Sequence, residues 1–182
     1  MFDWEGAGET LRRISTKQVG LFLNGPDKSD VYGFGFFCDA YEGCIYLVAN
    51  TELFHQNSLR HFQSVYGQTD PELFRWNTGN WKYPGGLFPS SSAEQREFDA
   101  GWESSRQTLS AIESEGAQGM LEELCSGVLT KMFADGAFST IPGLSGLTVL
   151  GHDDRDEDIL EKKKRLDGRL QRDGQKRLST EG

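Results

Sequence analysis

No stretch of this chain approaches the roughly 18 to 20 consecutive apolar residues of a membrane-spanning helix, so no membrane partner is expected. Cysteine is scarce, with three residues at 38, 44 and 125. None stands in a CxxC pair, which removes the usual thiol-ligated zinc site, and no metal site is expected. "GLSGL" is one position short of a GxSxG nucleophile elbow. "YGFGFF" lacks both the third glycine of a dinucleotide loop and the lysine of a P-loop, so no nucleotide or other cofactor is expected. There is no internal repeat. The opening "MFDWEGAGETLRRIS" has no charged n-region leading into an apolar h-region, so it is not read as a signal peptide and the expected address is cytoplasmic.

What is present is aromatic and acidic. Twelve phenylalanines lead an aromatic share of 12%, which speaks against a disordered chain. At 182 residues the length suits one domain. The net charge is −9, and it is unevenly placed: residues 151–182 hold nine basic and nine acidic residues, so residues 1–150 carry all of it. An acidic body repels nucleic acid and steers toward basic partners.

The apolar spacing of "GETLRRISTKQVGLFL" predicts a helix on Leu11, Ile14 and Leu21 or Phe22, stopped by the Asn-Gly-Pro cluster at 24–26. "VYGFGFFCD" alternates Tyr32, Phe34 and Phe36 with other residues, which predicts a strand with one aromatic face. Its glycines at 33 and 35 weaken the strand but permit close packing behind it. "CIYLVANT" predicts a second strand, and the pair reads as a β-hairpin around "DAYEG". Cys38 and Cys44 flank that tip and could face each other across the strands; the cytosolic address favours the reduced state. A helix over "TELFHQNSLRHFQSVYG" places Leu59, Phe62 and Tyr66 on one stripe. Beyond it come the aromatic loop 74–86, a helix with Phe98, Trp102, Leu109 and Ile112, and a helix carrying Cys125 that stops at "ADG". A short strand follows in "LSGLTVLGHDD". The fold class is α+β: a small antiparallel sheet built on a central hairpin and covered by several helices. Residues 1–167 form the single domain, and 168–182 a frayed, charged tail.

Few residues offer chemistry. The acidic knot "GHDDRDED" at 151–158 reads as the charged start of a helix, complementing its dipole and the lysines at 162–164, and only secondarily as a metal site. His55 and His61 lie six residues apart, off the i,i+4 edge that would ligate a metal. With Glu52 they could still form an acid–base pair. Cys38 would be a nucleophile only with a histidine beside it. No catalytic residue is assigned. The loop "FRWNTGNWKYPGG" remains, with Trp, Tyr and Arg of the kind that anchor interfaces and also fill cores. Core packing is the leading reading and a binding surface the second.

The order of these segments resembles the bacterial family called domain of unknown function 4303. The likeness covers roughly 8–160 and falls on Tyr32, Phe34 and Phe36, on Asn50, Thr51 and Glu52, and on Arg75, Trp76, Trp81 and Tyr83. The resemblance implies a protein with no established enzymatic activity, of a kind proposed as immunity proteins of polymorphic toxin systems. The expected function is therefore a non-enzymatic protein-binding domain that neutralises a basic partner, such as a cognate toxin, by occluding it. Its contact residues are expected among Glu52, Arg75, Trp76, Trp81 and Tyr83. The alternative is a small-ligand-binding protein or hydrolase-like enzyme with a pocket under loop 74–86, using Glu52, His55 or His61.

Overall fold

The computed structural model describes residues 2–25, 30–110, 116–152 and 154–180, with main chain alone at 110 and 173–180. Helix α1 (Trp4–Phe22) starts where the Asp3 carboxylate accepts the Gly6 N–H at 3.0 Å, and it buries Leu11, Ile14, Val19 and Phe22. Strands β1 (Val31–Asp39) and β2 (Cys44–Thr51) form the expected antiparallel hairpin. Helices α2 (Glu52–Tyr66), α3 (Pro71–Trp76), α4 (Ala93–Ser110) and α5 (Ala117–Ala134) follow, then β3 (Gly146–Gly151) and α6 (Asp156–Thr180). The chain is α+β.

The sheet runs in the order β2-β1-β3, and β3 lies parallel to β1. It is therefore mixed, where a purely antiparallel sheet is expected from the sequence. The chain leaves β2 through four helices before returning to the far side of β1, and a connection that long lets the last strand enter in either direction.

One face of the sheet carries the larger core. Phe34, Phe36, Cys38, Ile45, Leu47 and Ala49 project there with Leu147 and Val149, under side chains of α1, α4 and α5. Phe98, Trp102 and Leu109 of α4 are buried as anticipated, while Ile112 lies outside the described residues. Helix α5 ends at Gly136 in the left-handed conformation, φ 80°.

Tyr32 leaves that face. The register steps from Val31 opposite Thr51 to Gly33 opposite Asn50, so Tyr32 is an extra residue in a bulge. Its ring turns to the second face, among Val48, Trp76, Trp81, Leu150 and Ile159. The single aromatic stripe read from the sequence is thus split between two cores. Gly33 is what admits the tryptophans: a Cβ there would stand 3.2 Å from the Trp81 ring and 3.3 Å from that of Trp76.

The cysteines do not face each other. Cys38 is opposite Ile45 and Cys44 opposite Asp39, one step out of register and on opposite faces, and all three cysteines are free. Helix α6 continues through Gly168, where the sequence reading begins a charged tail. Leu166 and Leu170 reach the larger core and Ile159 the smaller. No described helix is long and apolar enough to cross a membrane.

Candidate interaction site around helices α2 and α3

Two caps set the local geometry. Thr51 ends β2 and its hydroxyl accepts the Phe54 N–H at 3.4 Å, so the strand turns directly into α2. The Asp70 carboxylate accepts the N–H groups of Glu72 and Leu73, and Pro71 occupies the first turn of α3. These starts carry Glu52 and Arg75 to one place. The Arg75 guanidinium spans Glu52 with contacts of 2.8 and 3.3 Å, reaches the Ser145 hydroxyl at 3.4 Å, and lies 3.8 Å above the Tyr32 ring. A planar fork over an aromatic face satisfies its charge twice, through the carboxylate and through the ring quadrupole.

The backbone beneath is tied as firmly. The Arg75 carbonyl accepts both the Tyr32 hydroxyl at 2.9 Å and the Trp81 indole N–H at 2.8 Å. Asn50 is almost fully buried; its amide donates to the Tyr32 oxygen at 2.9 Å, and its carbonyl oxygen accepts the N–H groups of Thr51 and Lys82. The Trp76 indole donates to Glu72 at 2.7 Å, and Lys163 of α6 lies 4.4 Å from the Trp76 ring centre. Tyr83 is half-buried; its main chain bridges to Ala49 and its ring meets Phe22 edge-on at 5.1 Å.

The structure thus draws Glu52, Arg75, Trp76 and Trp81 into one cluster, with Tyr83 on the neighbouring strand edge. Only part of that set can meet a partner. Trp76 and Trp81 are 3% and 2% exposed, so the aromatic loop is interior packing and its tryptophans are no surface anchors. The physical reason is the bulge: it sends Tyr32 to this face, and Gly33 leaves room for both indoles. Glu52 and Arg75 are the accessible members of the cluster.

The electrostatics are those of a keystone. Hydrogen bonding to Arg75 holds the Glu52 carboxyl below its usual range against some burial, and burial pushes the Tyr32 phenol above its own. Burial, then Arg75, holds His55 below its ordinary value. His55 packs edge-on to Tyr32 at 5.6 Å, and its Nδ1 is buried with no hydrogen-bond partner. His61 sits elsewhere, exposed on the far side of α2, in a groove of about 430 Å³ with Phe54, Phe62, Phe74 and Asn80. Glu52, His55 and His61 therefore do not converge on one cavity. Among the described residues no group of three metal-ligating side chains gathers, and Asp154 of the acidic knot pairs with Lys162.

The sequence reading overlooked the outer side of α2. Of fifteen residues only His55 is buried, while Leu53, Phe54, Val65 and Tyr66 are 63%, 37%, 56% and 72% exposed. The stripe of Leu59, Phe62 and Tyr66 is covered only over its first two members. A signal existed: at about 100° per residue, the six apolar side chains of α2 spread around more than half its circumference, more than one buried face accommodates.

The site and fold define an α+β domain with a small mixed sheet and a weakly covered amphipathic helix beside an ion-paired aromatic keystone. No family model, curated protein or solved structure matches this chain.

Proposed function

We propose that this chain is a non-catalytic, cytoplasmic protein-binding domain that meets a basic partner through the outer side of α2. The observation carrying this reading is the exposure of Leu53, Phe54, Val65 and Tyr66 along α2, of which Phe54 opens onto a groove floored by Phe62 and Phe74. Several large apolar side chains left in water on one helix beside an apolar groove favour a contact surface. The charge of −9 supplies the sign of the partner and raises its association rate. Glu52 and Arg75 stand at the N-terminal end of α2 as a polar rim, with Trp76 and Trp81 as rigid backing. The motif resemblance to domain of unknown function 4303 and the acidic body support one form of this activity, an immunity protein that occludes a basic toxin.

The test is affinity capture from the native cell in rising salt, comparing the wild type with Leu53→Asp and Tyr66→Asp. A stoichiometric basic protein that elutes with salt, and that both variants lose, is the expected result. Capture of the same protein by wild type and variants alike would remove α2 from the interface.

The groove itself favours a second reading, a site for a small apolar ligand beside loop 74–86. Asn57, Ser58, His61 and Asn80 would form its polar rim. A thermal-shift screen that finds an aromatic ligand, with stabilisation lost in Phe54→Ser, would favour it.

A further inference from the structure

A second recess opens at the other end of β2. This strand is the outer one on its side of the sheet, and its free edge is met where the Tyr83 N–H donates to the Ala49 carbonyl at 3.1 Å. That bond identifies the main-chain groups of β2 that point away from β1. They are those of Ala49 and, by the alternation of an antiparallel ladder, those of Leu47 and Ile45. Pro84, with no N–H to extend the pairing, then carries the chain off the edge. Among the described residues no other main-chain group bonds to this edge.

A cleft of about 380 Å³ lies against the edge at Ile45 and Tyr46, with α4 as its other wall. Phe98, 3% exposed, closes its floor, and Asp99 and Glu103 contribute charge. Arg106 holds Glu103 at 2.8 Å. The Asp99 carboxylate accepts the Gln95 amide at 2.9 Å and meets no cation among the described residues.

We infer that this cleft takes an extended segment of the basic partner, added beside β2 as a short strand with an arginine or lysine side chain at Asp99. The inference rests on the reading of this chain as a binder of a basic protein. A free sheet edge gives main-chain hydrogen bonds to any sequence, and side-chain pockets supply the selection. Alternate residues of the added segment point toward α4, where a basic side chain meets the unpaired carboxylate. An acidic side chain at the same place is repelled.

The experiment titrates the isotope-labelled full chain with a capped pentapeptide of alternating valine and arginine at low salt, followed by amide chemical shifts. Saturable shifts at Ile45, Leu47 and Asp99 are expected. Binding should weaken about threefold to fivefold in Asp99→Asn, the range of one exposed ion pair. It should vanish when glutamate replaces arginine. Shifts confined to other regions, or equal binding of the arginine and glutamate peptides, would overturn the inference. Salt-graded capture with Asp99→Asn separates this inference from the reading beneath it. Capture equal to wild type would keep the basic partner and remove the cleft from its interface. Peptide binding at Ile45 with no basic protein captured would keep the cleft and remove that partner.

Discussion

Helices α5 and α2 are of similar length, and the fold uses them in opposite ways. Helix α5 buries Ala117, Leu121, Cys125, Val128, Leu129, Thr130 and Met132 against the larger core. Helix α2 buries one side chain, His55, and leaves leucine, valine and two aromatic rings in water. The difference teaches where stability resides and where it was forgone. A helix whose apolar surface stays exposed contributes little to folding, and that surface is what the proposed interface would cover.

The comparison breaks most sharply under truncation. Leu121→Ala, at a site with no exposure, should cost about 2 to 5 kcal/mol in urea unfolding, whereas Leu53→Ala should stay within about 0.5 kcal/mol. Equal losses would mean that α2 is as structural as α5. Gly33→Ala comes next. Its new methyl would crowd Trp76 and Trp81, and a lowered urea midpoint worth about 1 to 3 kcal/mol is expected, with altered tryptophan fluorescence. An unchanged midpoint would show that the second core is loosely packed.

Arg75→Lys should be milder. It removes the forked contact to Glu52 and the stacking over Tyr32, and with Glu52 partly in solvent the loss should be about 1 kcal/mol. Faster amide exchange in α2 and α3, with α5 unaffected, would place that loss in the keystone.

The smallest effect is that of pH. The folded value of His55 lies below the unfolded one, so the unfolded chain takes up the proton first. The resulting loss of stability begins as pH falls through about 6.5 and continues toward the lower folded value. Glu52 is also depressed, but its contribution is lost only further down, below about pH 4.3. A urea midpoint that drops between pH 7.5 and 5.5 in the wild type, and less in His55→Leu, is the expected pattern.

The hairpin and the larger core were legible because their signals are local. β-branched and aromatic residues mark both strands, and α1, α4 and α5 carry apolar positions at helical spacing. The bulge was not legible, since Tyr32, Phe34 and Phe36 keep a perfect alternation in sequence while the backbone departs from it. The direction of β3 depends on a long connection that no local pattern encodes. Helix α3 was not read from the sequence: its local signal is Asp70 and Pro71, a cap followed by a first-turn proline, and six residues are too few for periodicity to register. Within the site, the aromatic loop signalled dense packing, and its tryptophans proved interior. Arg75 and Glu52 drew attention as polar members of a motif, yet their pairing over Tyr32 belongs to tertiary structure. The display of α2 lay furthest from view, because exposure is settled by what the rest of the chain leaves uncovered.

The most direct test is hydrogen exchange of the full chain, alone and with the basic protein recovered by capture. Amides of 53–66 should exchange faster than those of α5 in the free chain and become protected in the complex, with α5 unchanged. Protection confined to other elements, with α2 still open in the complex, would contradict the assignment of its outer side as the contact face.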